Sequence, residues 1–570
     1  MTHITVDLTD ETRAELDADI AALTAGAEHW AGLTLRQRAD LFDQVHDAVA
    51  AHAQTWAEVA VAAKRTPAAY AGEESLAGPY AAMNAFAGVA RSLRLLAEGK
   101  SPIDGLPTGT GPGGRTTVKI LPSDAQEVVL FSGFSASVWL EPGVSVDQAR
   151  AEAGLGARRT GENGGVGVVL GAGNVSSIGP LDVLYELVSA NRTSVLKLNP
   201  TFATLKPVLD MAFAPLVGAG LMRVVNGGAA VGGYLTGHDG ISHVHITGSG
   251  LTHDAIVWGT GEEARTRRAA GDPKLTKEIT SELGGVSPII VVPGEWSKAD
   301  LRYQAEHVAT QRLQNAGHNC IAGQALILSS DWPQRDAFLD ELRAVLDELP
   351  PRPAWYPGSE AKLEQATTSY PEAEIHTSGR LLVEVTDETS QDLFTTEYFA
   401  PVLGHTTLPG AGADFLANAV EFANERLDGS LGAAIIADPK TLRGMGARLQ
   451  DLLASLRYGV IGVNAWTAVG FLLHGATWGA FPGNTLDEVG SGIGIVHNSH
   501  LLAHAERTVV TGPFRPFPRS VLGGELSLSP KAPWFLSSKT ANTTAARLTA
   551  FAGKSSWARI PGIVASALRG

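Results

Sequence analysis

The single cysteine among 570 residues, Cys320, closes the segment Asn315-Ala316-Gly317-His318-Asn319-Cys320, a polar, glycine-containing stretch that follows a helical run. An isolated cysteine is by default a small buried hydrophobe. Here the neighbourhood predicts a turn whose backbone N–H groups face the sulfur and stabilise a thiolate, the form that attacks carbonyl carbon. Glu282 comes earlier, in Ser281-Glu282-Leu283-Gly284-Gly285, just ahead of the apolar run that begins at Ser287. Alone, this carboxylate reads as a solvated loop acid. Together with Cys320 it supplies a general base for water beside a nucleophile, the two functions that a thioester-forming oxidation requires.

Those two residues need a scaffold, and the hydrophobic pattern supplies one. From about Leu8 to Gly99 apolar residues recur at helical spacing in alanine-rich segments, and between about Leu106 and Gly156 short β-rich runs are punctuated by Gly and Pro. From Gly165 short apolar strands alternate with helices, and a second alternation begins at Ser287 and continues to about Pro439. Such alternation predicts mostly parallel sheets covered by crossover helices, with dinucleotide sites at the carboxyl ends of the strands.

Composition narrows the function classes. A formal charge of -15 argues against broad nucleic-acid binding, which needs a basic face. One cysteine excludes an intramolecular disulfide and the usual multi-thiolate metal clusters, so no metal is implied and a reducing, cytoplasmic setting is expected. The acidic first residues match neither a secretory signal nor a transit peptide, and the most apolar central stretch is broken by glycines long before the roughly 20 residues that span a bilayer. The last 70 residues differ from the rest, with nine Lys or Arg against two Asp or Glu. Their basic, aromatic character admits contact with an anionic membrane, but docking on the acidic protein body, as an oligomer interface does, is the favoured reading.

In its ordered motifs the chain resembles the aldehyde dehydrogenase superfamily. The family's glutamate motif is matched by Glu282 to Gly285 followed by Ser287-Pro288, and its cysteine motif by Asn315, Gly317 and Cys320, with His318 in place of the usual glutamine. The register runs from about Gly165 to Gly490. The resemblance implies an α/β fold: a Rossmann-like cofactor domain, a second α/β catalytic domain and a small β bridging or oligomerisation element. The expected division is 1–105 (helical part of the cofactor domain), 106–160 (bridging strands), 161–280 (dinucleotide domain), 281–470 (catalytic domain), 471–500 (return to the cofactor domain) and 501–570 (basic extension, read as an oligomerisation element).

Carried over residue by residue, the resemblance assigns Cys320 as nucleophile, Glu282 as general base, and Asn174 with the Cys320 N–H as the oxyanion hole. It assigns Lys197 to the adenosine ribose, Thr247-Gly248-Ser249 to the phosphates at a helix start, Glu397 to the nicotinamide ribose, and Phe399 to the side of the nicotinamide ring. The implied reaction is NAD- or NADP-dependent oxidation of an aldehyde to a carboxylic acid in a homodimer or homotetramer, without nucleic-acid or membrane partners. Departures are Pro200, where the family carries an acid that grips the adenine ribose, Ala400 for a glycine, and His253 near the position of another. Loss of that acid leaves NAD and NADP both open. No family-typical aromatic set marks an aldehyde tunnel. Two other readings stand beside this one: release of the acyl group to coenzyme A, against which Glu282 argues, and a binding protein that keeps the fold without turnover, in which Cys320 would be unreactive.

Overall fold

The computed structural model describes residues 8–570. The chain opens with long helices at Asp10–Gly32 and Leu35–Lys64, whose starts are fixed locally: the Thr9 hydroxyl accepts from the Thr12 N–H, and Thr34 forms a reciprocal cap with Gln37. The second helix and Ala81–Ala97 bury Phe42, Trp56 and Phe86 against Phe213, so the helical entry packs on the first sheet and shares its core.

That sheet has six strands in the order Gly492–Ile493, Glu278–Leu283, His243–Gly248, Val166–Leu170, Thr193–Lys197 and Met222–Val225. All are parallel except Gly492–Ile493, which runs antiparallel on Glu278–Leu283. The helix Ile178–Ser189 crosses one face.

The second sheet has eleven strands. Its centre is parallel: Val460–Val463, Gly432–Ile436, Ser287–Val291, Gly323–Ser329, Val402–Leu408 and Arg380–Glu384. The strands Thr108–Thr110, Thr116–Leu121 and Ser135–Leu140, read from sequence as a separate bridging element, continue this sheet through Ala505–Thr511. That last strand corrects the expected start of the tail. Residues 505–510 are buried, so Ala505–Thr511 is sheet, and the extension begins after it. Averaging charge over the final 70 residues hid a short β-branched run whose register only the sheet reveals.

The extension itself lies on its own chain. Phe535 stacks on Tyr303 and His307 at 5.1 and 5.3 Å, Lys531 pairs with Glu306 at 2.8 Å, and the helix Ala541–Gly553 is held by Asn542, which accepts from the Gly72 N–H and donates to the Ala68 carbonyl. Trp534 and Phe535, two of the aromatic residues in the tail read from sequence as an oligomer contact, pack within the chain, while Trp557 is exposed. Among the described residues no helix is long and apolar enough to cross a membrane.

Candidate active site

Cys320 lies between the helix Lys298–Leu313 and the strand Gly323–Ser329. The turn before it is unusual: Asn315, Ala316 and Gly317 all have left-handed backbones, with φ of 55°, 58° and 81°. Two non-glycine residues in that region imply stored strain held by surrounding contacts. Asn315 supplies several of them, since its side-chain amide donates to the carbonyls of Asn174 and His318 at 3.0 Å and its oxygen accepts from buried Lys64 at 3.3 Å. Gly317 is required twice over, because a Cβ there would also press on the Ala400 carbonyl at 2.8 Å. His318, which stands where glutamine was expected, is neutral: burial pushes it down to about 3, and its Nδ1 lies 2.9 Å from the Asn315 carbonyl.

The sulfur is not the stabilised thiolate that the turn predicts. Burial raises the Cys320 thiol well above its ordinary value, and the nearby Glu282 and Glu397 raise it further. The loop's backbone contributes only weakly in the opposite direction, and carboxylates, not cations, surround the sulfur. The resting group is a thiol beside the Glu282 carboxyl. Glu282 is buried, accepts from the Trp478 indole at 3.2 Å, and is pushed up to about 7, chiefly by burial.

Glu282 also ends a buried polar seam. The paired strands place His245 opposite Thr280 and Thr247 opposite Glu282, and the alternation of side chains puts these four on one face. The helix Ile178–Ser189 covers that face with Asp182 and Glu186, one turn apart. His245 reaches Thr280 at 2.9 Å and Asp182 at 3.5 Å, Thr247 donates to Asp182 at 3.0 Å, and Glu186 meets His243 at 3.1 Å and Arg192 at 2.5 Å. Burial opposes charge on His245, yet Asp182, with Glu186 and Glu282 in support, raises it overall.

Of the other sequence-predicted residues, Asn174, Lys197 and Ser249 lie at or just after the carboxyl ends of strands, and Glu397 and Phe399 in the loop that leads into Val402–Leu408. Asn174 follows Val166–Leu170 and donates to the His318 carbonyl at 3.0 Å, two residues from Cys320. Lys197 ends its strand, has only the Leu198 carbonyl at 3.3 Å, and is pushed down to about 8 by burial. Pro200 opens the turn after it, with no acid in that position. Ser249 caps the helix Gly250–Val257, and Gly248 and Ser249 are exposed there, whereas the Thr247 hydroxyl is committed to the seam. Glu397 rests on Gly284, where an added Cβ would meet its carboxylate at 2.0 Å, and burial pushes it up to about 8 against the opposing pull of Arg312. Phe399, with φ of 47°, packs on Tyr356 and His318.

A nicotinamide dinucleotide fits these residues. Glu397 Oε1 is buried with no partner, an acceptor of the kind a ribose hydroxyl satisfies. Lys197 is a nearly buried cation without an acidic partner. The free N–H groups of a helix start complete an anion site.

Cys320 and Asn174 open into an apolar cavity walled by Leu76, Val175, Ile178, Trp466, Phe471 and Trp478, with Trp534 of the extension at its far side. The absence of an aromatic set, expected from sequence, is therefore corrected: two chain segments, 466–478 and the one that carries Trp534, bring one together. Sequence reasoning also missed Trp478 on Glu282, Arg312 beside Glu397, Lys64 on Asn315, and the Asp182–His245 pair. The seam had one visible sign, the alternation of histidines in His243-Val244-His245 within an otherwise apolar strand.

Comparison with known proteins finds likenesses to one family. Residues 189–360 match the model of the aldehyde dehydrogenase family. A curated aminoacetaldehyde dehydrogenase of Pseudomonas aeruginosa is 28% identical over 301 residues, covering 49% of this chain and 55% of the relative, so the chain spans about half the length of the curated relative it matches. Among solved structures, an NAD-dependent aldehyde dehydrogenase of Sinorhizobium meliloti aligns with a TM-score of 0.57 at 19% identity over 89% of this chain and 88% of its own. An NADP-dependent glyceraldehyde-3-phosphate dehydrogenase of Bacillus halodurans, solved with NADP, gives 0.56 at 18% over 87% and 91%. These structural likenesses establish the shared fold.

Proposed function

We propose that the chain is a member of the aldehyde dehydrogenase superfamily, and that it oxidises an aldehyde to a carboxylic acid, with a nicotinamide cofactor, through a covalent adduct on Cys320. The observation that carries this reading is the partly buried Cys320 thiol beside the Glu282 carboxyl, in one apolar cavity with Asn174.

Glu282, ionised above about pH 7, accepts the thiol proton as the sulfur bonds to the carbonyl carbon. The Asn174 amide and the Cys320 N–H are the donors for the oxygen that gains charge in this step. A nicotinamide cofactor, when bound, supplies the two-electron acceptor for the hydrogen on the thiohemiacetal carbon, leaving a thioester on Cys320. Lys197 and Glu397 would hold its two riboses, and Gly248 and Ser249 its phosphates. Having passed its first proton to solvent, Glu282 takes a second from water, whose oxygen adds to the thioester carbonyl. Cleavage of the C–S bond then releases the acid and returns a proton to the sulfur. The apolar walls keep other water away from the adduct.

Replacing Glu282 with Gln tests the assignment. Steady-state formation of reduced cofactor should fall by about 10²–10⁴-fold, and the rise of kcat/KM with pH near neutrality should vanish. A variant that kept that rise would show that another group is the base.

A further inference from the structure

We propose that the C-terminal extension builds the distal half of the substrate cavity, and that the preferred substrates are aldehydes with a long, uncharged apolar body that reaches past Trp534 into a second chamber. This rests on the reading of the Cys320 cavity as the aldehyde site and adds the class of aldehyde to it.

Two cavities lie end to end. The first contains Cys320 and encloses about 640 Å³ of empty space, mouth included; the second encloses about 710 Å³. Leu76, Leu472, Pro533 and Trp534 line both, so these four side chains are the partition between them. The outer wall of the second chamber comes largely from the extension: Pro530, Thr544, Leu548, Ile563 and Ala567, facing Phe131 and Phe134.

This wall is anchored on both sides of Trp534. Before it, the hydroxyls of Ser527 and Ser529 donate to the Ser132 carbonyl at 2.8 and 2.7 Å. After it, the Leu536 N–H donates to the Thr310 hydroxyl at 3.2 Å and the Ser537 hydroxyl to Glu306 at 2.8 Å. The Trp534 ring meets Phe134 edge-on, with centroids 6.2 Å apart. The extension is therefore a fixed part of the site.

The chemistry of the lining selects the occupant. The one charged side chain of the second chamber, Lys531, is paired with Glu306. A carboxylate or phosphate at the far end of a substrate would find no free cation there, and burying it would be costly. In the first chamber the carboxylate of Glu73 is likewise paired, with Arg352 at 2.8 Å, so hydrocarbon is favoured along the whole path. Each methylene buried contributes about 0.8 kcal/mol, a factor of roughly four.

The test compares kcat/KM for propanal, hexanal and decanal, with NAD and with NADP, in the full chain and in two variants that fill the second chamber, Leu548→Trp and Ala567→Leu. Specificity is expected to climb at least a hundredfold from propanal to decanal, and each variant to lower the decanal-to-propanal ratio tenfold or more. A flat profile, or variants that slow both aldehydes alike, would overturn the proposal. Calorimetric binding of decanal to Cys320→Ala, with and without Leu548→Trp, separates the two claims. If no aldehyde is turned over but decanal binds and Leu548→Trp abolishes binding, the chamber stands and the oxidation does not. If decanal does not bind, the chamber falls as well.

Discussion

The two parallel sheets share one plan, strands alternating with crossover helices, but their interiors differ. In the central strands Ser287–Val291 and Gly432–Ile436, Ile289, Ile290, Val291, Ile435 and Ile436 are fully buried among Leu, Phe and Ala side chains. In the six-stranded sheet, the adjacent strands His243–Gly248 and Glu278–Leu283 turn His243, His245, Thr247, Thr280 and Glu282 toward Asp182 and Glu186. An apolar interior is stabilised by area removed from water and tolerates trimming in small steps. A polar one stands only while every charge keeps its partner. The difference teaches that the charge around Glu282 is set from behind the strand as well as from the cavity in front.

The largest expected effect lies at the point the two sheets share. Cys320→Ala should reduce turnover by more than about a thousandfold while leaving cofactor binding, followed by fluorescence of the reduced form, nearly intact. Full activity would remove the covalent mechanism altogether.

Next come substitutions that set the sheets against each other. His245→Leu leaves Asp182 buried without its cation and should cost about 3–5 kcal/mol of stability, whereas Ile290→Val in the apolar sheet should cost about 0.5–1.5 kcal/mol; urea unfolding measures both. Equal losses would mean that the seam carries no charge. The sign with pH follows from the raised folded value of His245. Its contribution is complete below the unfolded value of about 6.5 and is lost as pH rises through the folded one. Wild-type stability should thus decline on the alkaline side by more than that of His245→Leu.

Glu282 is read through activity. With its carboxyl held near 7, kcat/KM should rise about tenfold per pH unit below that value and level off above it. The smallest effect concerns the cofactor's far end. Pro200→Glu places an acid three residues from Lys197, and the preference should move toward NAD and away from NADP by about tenfold, equivalent to ~1.4 kcal/mol. An unchanged ratio of kcat/KM for the two cofactors would show that residue 200 lies away from the adenine ribose.

Much of this site was legible before folding. Cys320, Glu282 and the glycines at 284, 285 and 317 are tied to local demands of turn geometry and close approach, and such demands leave a mark in the sequence. Lys197, Ser249 and Glu397 came only from the family resemblance; hydrophobic alternation located the strand that Lys197 ends. The protonation state of the sulfur was not legible. The turn predicted a thiolate, but the balance is decided by burial together with Glu282 and Glu397, which approach from distant segments.

By itself, then, the sequence determined the α/β alternation and pointed to Cys320 and Glu282 as the candidate nucleophile and base, because periodicity and turn chemistry act over a few residues. Only the tertiary structure decided what surrounds them. Trp478 on Glu282, Asp182 against His245, the bridging strands joined to the second sheet through Ala505–Thr511, and Trp534 at the far wall of the cavity are contacts between segments tens to hundreds of residues apart. Packing and low-dielectric electrostatics act through space, and no local pattern encodes which distant side chain arrives.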